Sequence, residues 1–167
     1  MGKPNTVKPL TVHADWWVVN DTVMGGRSSS SWQLSEGGVG VFQGSVSLEN
    51  NGGFASVRGT TPEDAFGNHS HLKVEVKGDG RTYRLCVRSR QVQSSVSYQQ
   101  GFKTNGEWQT IIFPVSDLLP RWRGRQLDGM PPLLGKDING VGFIIADKRS
   151  GPFILNVRSI EGVTPLK

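Results

Sequence analysis

The stretch His71-Leu72-Lys73-Val74-Glu75-Val76-Lys77-Gly78-Asp79-Gly80-Arg81-Thr82-Tyr83-Arg84-Leu85-Cys86-Val87-Arg88-Ser89-Arg90 decides the fold class. Leu72, Val74 and Val76 alternate with polar neighbours, and Tyr83, Leu85 and Val87 do the same further on. Side chains of an extended chain point to opposite faces in turn, so this period of two marks strands with one buried face. Gly78-Asp79-Gly80 between them is turn chemistry, and the pair is expected to form a β-hairpin.

The same texture extends outward. Further strands are expected at Val39–Leu48, Phe54–Arg58, Val92–Tyr98, Trp108–Val115, Gly140–Ala146 and Phe153–Ile160, with a short helix near Val115–Leu119. Glycine makes up 22 of 167 residues, about 13% against about 7% in ordinary chains, and nine prolines add to it. Neither residue suits a helix interior, so an all-helical fold is excluded. Many short strands divided by Gly, Asn, Asp and Pro turns suggest an antiparallel sandwich or barrel. No βαβ unit appears. The stretch Leu119–Ile138 carries no periodic pattern and is expected to be a functional flap or a packed Ω-loop.

Composition narrows the function. The length suits one domain, expected over residues 1–167 with its core at about 12–161. No apolar run is long enough for a membrane span. The N-terminus shows neither a secretion signal nor a transit peptide, so a cytoplasmic location is expected. The net charge of +5 admits nucleic acid as a partner. With no basic run of five or more residues, ordinary solubility explains that charge better. Catalysis finds little support. His13, His69 and His71 lie near no G-x-S-x-G segment, and Glu63-Asp64 read as solvated turn residues. No phosphate-cradling loop is present, so no cofactor is expected. A calcium site from Asp15, Asp21, Asp79 or Asp147 lacks EF-hand spacing, and no metal is expected.

Arg84, Arg88 and Arg90 share one face of their strand. Three arginines cannot be buried unpaired, so that face is either solvated or meets an anionic or polar ligand. Tyr98, Gln100, Lys103 and Trp122 could join it. Cys86 shares the face and is either a small buried hydrophobe or a thiol beside arginines. Trp16 and Trp17 point opposite ways, so one is core and the other is exposed or plugs an end. Met24-Gly25-Gly26 and Asn51-Gly52-Gly53 are tight turns that could also frame a pocket at one end.

In order, these words resemble the CIA30 family, the complex I intermediate-associated protein 30 domain. The opening Trp16-Trp17-Val18-Val19-Asn20-Asp21-Thr22-Val23-Met24-Gly25-Gly26-Arg27-Ser28 matches the family's W-x-x-x-N-D-x-V-M-G-G-x-S. Phe42-Gln43-Gly44, Asn51-Gly52-Gly53-Phe54-Ala55-Ser56 and Gly78-Asp79-Gly80-Arg81-Thr82-Tyr83 follow. Gly142 to Lys148 and Gly151-Pro152-Phe153-Ile154-Leu155 close the pattern. The resemblance implies an all-β, galactose-binding-domain-like β-sandwich with jelly-roll topology, of a compact bacterial type. It implies non-enzymatic work, since the mitochondrial members are assembly chaperones for respiratory complex I, and it supplies no catalytic residues. A protein partner is therefore expected, with a carbohydrate as the alternative. The residues expected to carry binding are Trp17, Asn20, Asp21, Met24, Asn51, Arg84, Arg88, Tyr98, Lys103 and Trp122.

Overall fold

The computed structural model describes residues 15–21, 26–49, 53–62, 65–122 and 125–164. Among them are twelve strands: β1 (Asp15–Asn20), β2 (Ser29–Leu34), β3 (Gly40–Val46), β4 (Ala55–Thr60), β5 (His71–Lys77), β6 (Thr82–Ser89), β7 (Ser97–Lys103), β8 (Trp108–Pro114), β9 (Leu119–Trp122), β10 (Arg125–Gln126), β11 (Ile138–Ile145) and β12 (Gly151–Val163). They form a seven-stranded sheet ordered β1-β4-β11-β6-β7-β9-β10 and a five-stranded sheet ordered β2-β3-β12-β5-β8. Neighbouring strands pair antiparallel throughout. The inner faces close on one apolar core, as a half-buried sheet must.

The two strands of the deciding stretch do not form the expected hairpin. β5 pairs with β12 and β8, whereas β6 pairs with β11 and β7. Both segments alternate as strands, but the turn crosses from one sheet to the other. Leu72, Val74 and Val76 thus line one wall of the core, and Tyr83, Leu85 and Val87 the other. Tertiary anchors hold the crossing. Asp79 accepts bonds from the Tyr83 hydroxyl at 2.9 Å and from the Ile154 amide at 2.9 Å, and Thr104 Oγ1 accepts the Gly80 amide at 2.9 Å. Aromatic rings knit the walls: Phe102 on β7 meets Phe113 on β8 and Phe143 on β11 edge-on, with centroids at 5.9 and 6.2 Å.

Other departures are local. The strand expected at Val92–Tyr98 runs instead over Ser97–Lys103, because the Val92 and Val96 amides are spent in turns on Ser89 and Gln93 carbonyls. Tyr98 and Phe102 then supply the buried face, and Gly101 between them obscures the period. Asp15–Asn20 and Ser29–Leu34 are added strands. The expected flap begins as β9 and β10, which extend the large sheet past β7. The short helix is one 3-10 turn, Val115–Asp117.

Candidate binding face

Strand register turns the sequence into a surface. On the outer face of the seven-stranded sheet, Trp17, Arg58, Gly142, Cys86, Gln99 and Leu119 stand opposite one another in succession across six strands. With neighbouring strands about 4.8 Å apart, this row spans about 24 Å. Beside it run Asp15, Thr60, Gly140 and Arg88 on one side, and Val19, Ser56, Ile144, Arg84 and Gly101 on the other. Trp17 and Leu119, at the two ends of the central row, are 44% and 41% exposed.

The middle of this face is cationic. Burial holds the Arg88 guanidinium below its ordinary value, and the neighbouring charge of Arg58 adds to the effect. Arg88 Nε donates to the Ser94 carbonyl at 2.8 Å. Burial pushes the Cys86 thiol up to about 11, against the opposing pull of Arg88, Arg84 and Arg58. Cys86 faces outward by register yet is buried, so it acts as a small hydrophobe flanked by arginines and not as a thiolate nucleophile. Glycine keeps the centre low. A Cβ on Gly142 would lie 2.2 Å from the Val57 carbonyl oxygen, which excludes any side chain there.

The expected site residues divide sharply. Trp17, Arg84 and Arg88 share this face, and Lys103 lies exposed at the far end of β7. The others described lie elsewhere. Asp21 is fully buried and accepts the Ser28 amide (2.9 Å) and hydroxyl (2.6 Å) and the Gly53 (2.7 Å) and Phe54 (3.2 Å) amides. Burial pushes its carboxyl up, but these bonds outweigh it and leave the group below its ordinary value. Asn20 accepts the Ser30 hydroxyl at 2.6 Å, tying β1 to β2. Tyr98 is core, its hydroxyl donated to the Pro131 carbonyl. Trp122 lines a separate open hollow of about 740 Å³ with Val92, Leu127 and Met130. Met24 and Asn51, like Gly25 and Gly52, lie outside the described residues.

Sequence reasoning missed Arg58, Leu119, Gly140 and Gly142 as members of the face. Arg58 carried a signal, since it follows the alternation of Ala55 and Val57, but only register places it beside Arg88.

A second hollow, of about 860 Å³, opens beside Ser29, Gln43, Asp79, Arg81 and Ile154. Its Asp79 and Arg81 side chains are already used. Arg81 Nε and Nη2 donate to the two Asp147 oxygens at 3.0 and 2.7 Å, and Nη1 donates to the Gly151 and Pro152 carbonyls at 3.0 Å each. Among the described residues, no three His, Cys, Asp or Glu side chains gather where one metal ion could bind them.

The CIA30 family model, described as complex I intermediate-associated protein 30, matches residues 6–157. The chain belongs to the CIA30 family. This CIA30 chain is 26% identical over 163 residues to mitochondrial complex I intermediate-associated protein 30 of Mus musculus, covering 85% of the chain and 50% of that protein. The Drosophila melanogaster protein of the same name is 26% identical over 165 residues, covering 85% and 56%. The CIA30 chain therefore spans about half the length of these curated relatives. Its fold is similar to that of the family 11 carbohydrate-binding module of a Clostridium thermocellum cellulase, with a TM-score of 0.61, 16% identity, and 92% and 90% of the two chains covered. A family 29 carbohydrate-binding module gives a TM-score of 0.54 at 11% identity, with 92% and 82% covered. The fold is thus the galactose-binding-like, jelly-roll β-sandwich that the resemblance implied. No helix among the described residues is long and apolar enough to cross a membrane.

Proposed function

We propose that this chain is a non-enzymatic binding module that holds a protein partner on the outer face of its seven-stranded sheet, in an assembly-factor role. The observation that carries this reading is the face itself. It sets three arginines between the exposed Trp17 and Leu119, and tryptophan and arginine are the usual anchors of protein interfaces. Family membership supports it, because the named relatives are complex I intermediate-associated proteins. A single domain over residues 1–167 and a bacterial cytoplasmic setting belong to the same proposal.

A carbohydrate-binding role is the second reading. The exposed Trp17 ring at the edge of a polar face favours it, as does a fold shared with modules such as one in complex with a β-1,3-1,4-mixed-linked tetrasaccharide. The test is a photo-crosslinking residue placed at Thr60, on the proposed face, or at Thr110, on the outer face of the five-stranded sheet, in the native host. A discrete protein adduct from position 60 and none from position 110 is expected. Specific retention on a glycan array, with no protein adduct from position 60, reverses the order of the two readings.

A further inference from the structure

We propose that the occupant of this face is a carboxylate-rich polypeptide segment, recognised by Arg58, Arg84 and Arg88. The inference rests on the partner-binding reading above and adds the chemistry of the partner.

Charge is the first reason. Among the described residues, the Arg58 and Arg84 side chains make no hydrogen bond or ion pair, and the Arg88 side chain gives one N–H to Ser94. The outer face of the five-stranded sheet is different: there Lys73 pairs with Glu161 at 3.6 Å, and Arg158 with Glu75 at 3.4 Å while also covering the Trp108 ring at 4.2 Å. Lys73 and Arg158 thus have acidic partners on one side of the sandwich, and the Arg58 and Arg84 guanidinium groups have none among the described residues on the other. Arg58 and Arg88 also repel each other, and Arg88 is partly desolvated. That arrangement works against the free protein. An anionic partner would turn the same charges into charge-assisted, forked hydrogen bonds to carboxylates.

Shape is the second reason. Gly140 and Gly142, both buried, lie between β4, which bears Arg58, and β6, which bears Arg88, so no side chain of β11 stands between those two arginines. The row from Trp17 to Leu119, about 24 Å long, matches about seven residues of extended chain. Trp17 and Leu119 give such a segment an apolar contact at each end. A neutral sugar could stack on Trp17 but would leave three guanidinium groups without counter-charge.

The experiment uses the full chain labelled with ¹⁵N-arginine, following the Nε–Hε signals of Arg58, Arg84 and Arg88 while blocked peptides are added. Hexaglutamate is expected to shift the Arg58 and Arg84 signals, increasingly weakly as salt is raised, and hexaglutamine is not. Arg58→Gln and Arg84→Gln should each weaken hexaglutamate binding by about tenfold, the worth of one charge-assisted bond. Arg58→Gln should leave Tm unchanged or raise it, because a repulsion is removed. Equal shifts with hexaglutamine, or with sulfate at matched ionic strength, overturn the proposal, as does a Tm loss of several degrees in Arg58→Gln. Binding of trigalacturonate without hexaglutamate assigns the face to an acidic sugar and overturns the polypeptide. If hexaglutamate is inert while position 60 still crosslinks a protein, the acidic occupant falls and the partner-binding reading stands. If both fail, both fall.

Discussion

Asp21 takes four hydrogen bonds from two loops, residues 26–28 and 53–54, that are distant in sequence. It follows Asn20 at the end of β1 and draws those loops to the strand, so the family's opening words meet in a structural clamp. Gly26 belongs to the same clamp, because a Cβ there would lie 2.4 Å from the Asp21 side chain. Removing the charge should be costly, since an amide would oppose some of its own N–H groups to the donors already present. Asp21→Asn is expected to lose about 3 kcal/mol in urea unfolding. A loss below about 1 kcal/mol would show that the clamp carries little of the fold. Arg81 and Asp147 form the second clamp, with side chains only 8% and 9% exposed, and they join the Gly78–Tyr83 words to the closing ones. The residues that carry the resemblance are in large part those that lock the sandwich. The proposed binding arginines lie outside the quoted words, which is why motif reading favoured Asn20 and Asp21 as ligands.

At the scale of elements, the crossing from β5 to β6 is the instructive case. A hairpin and a sandwich crossing show the same alternation and the same Gly-rich turn. What separates them is where the unpaired strand edges go, and β5 and β6 each find two other partners. The crossing is packed tightly: a Cβ on Gly78 would lie 2.4 Å from Thr104, which is buried and fixed by its bond to the Arg81 carbonyl at 2.7 Å. Gly78→Ala is therefore expected to cost about 2 kcal/mol by overpacking, read as a lower urea midpoint with the slope unchanged. No change in midpoint would mean that the crossing can shift freely. The strand placed too early, at Val92–Tyr98, missed for a related reason: the local pattern cannot tell apolar residues that end a turn from those that begin a ladder.

For the whole molecule, the two clamps contribute to the response to acid, as does Glu75, which the Ser159 hydroxyl holds below its ordinary value. Burial pushes the carboxyls of Asp21 and Asp147 up, but hydrogen bonds, led by Ser28 for one and Arg81 for the other, bring both below their ordinary value of 3.8. A depressed folded pKa gives stability that is fully present above the unfolded value and is lost as pH falls through the folded one. Tm is expected to be nearly flat from about pH 7 to 5 and to fall steeply below about pH 4. Asp21→Asn should flatten that acid limb while lowering the plateau. An unchanged acid limb in the variant would place the sensitivity elsewhere.

The sequence by itself determined that this protein is a many-stranded sandwich of its family. Alternating burial is a local property of extended chain, and glycine-rich words mark turns that few other residues can make. It also put Arg84, Cys86 and Arg88 on one face, because period two fixes that within a strand. Only the tertiary structure decided which strands share a sheet. That choice brings Arg58, from a strand two places away, to Arg88, sets Gly140 and Gly142 between their strands, and turns Asp21 and Tyr98 inward. The physical reason is that a binding face is built across strands, through register between segments far apart in the chain, and no local pattern encodes that register.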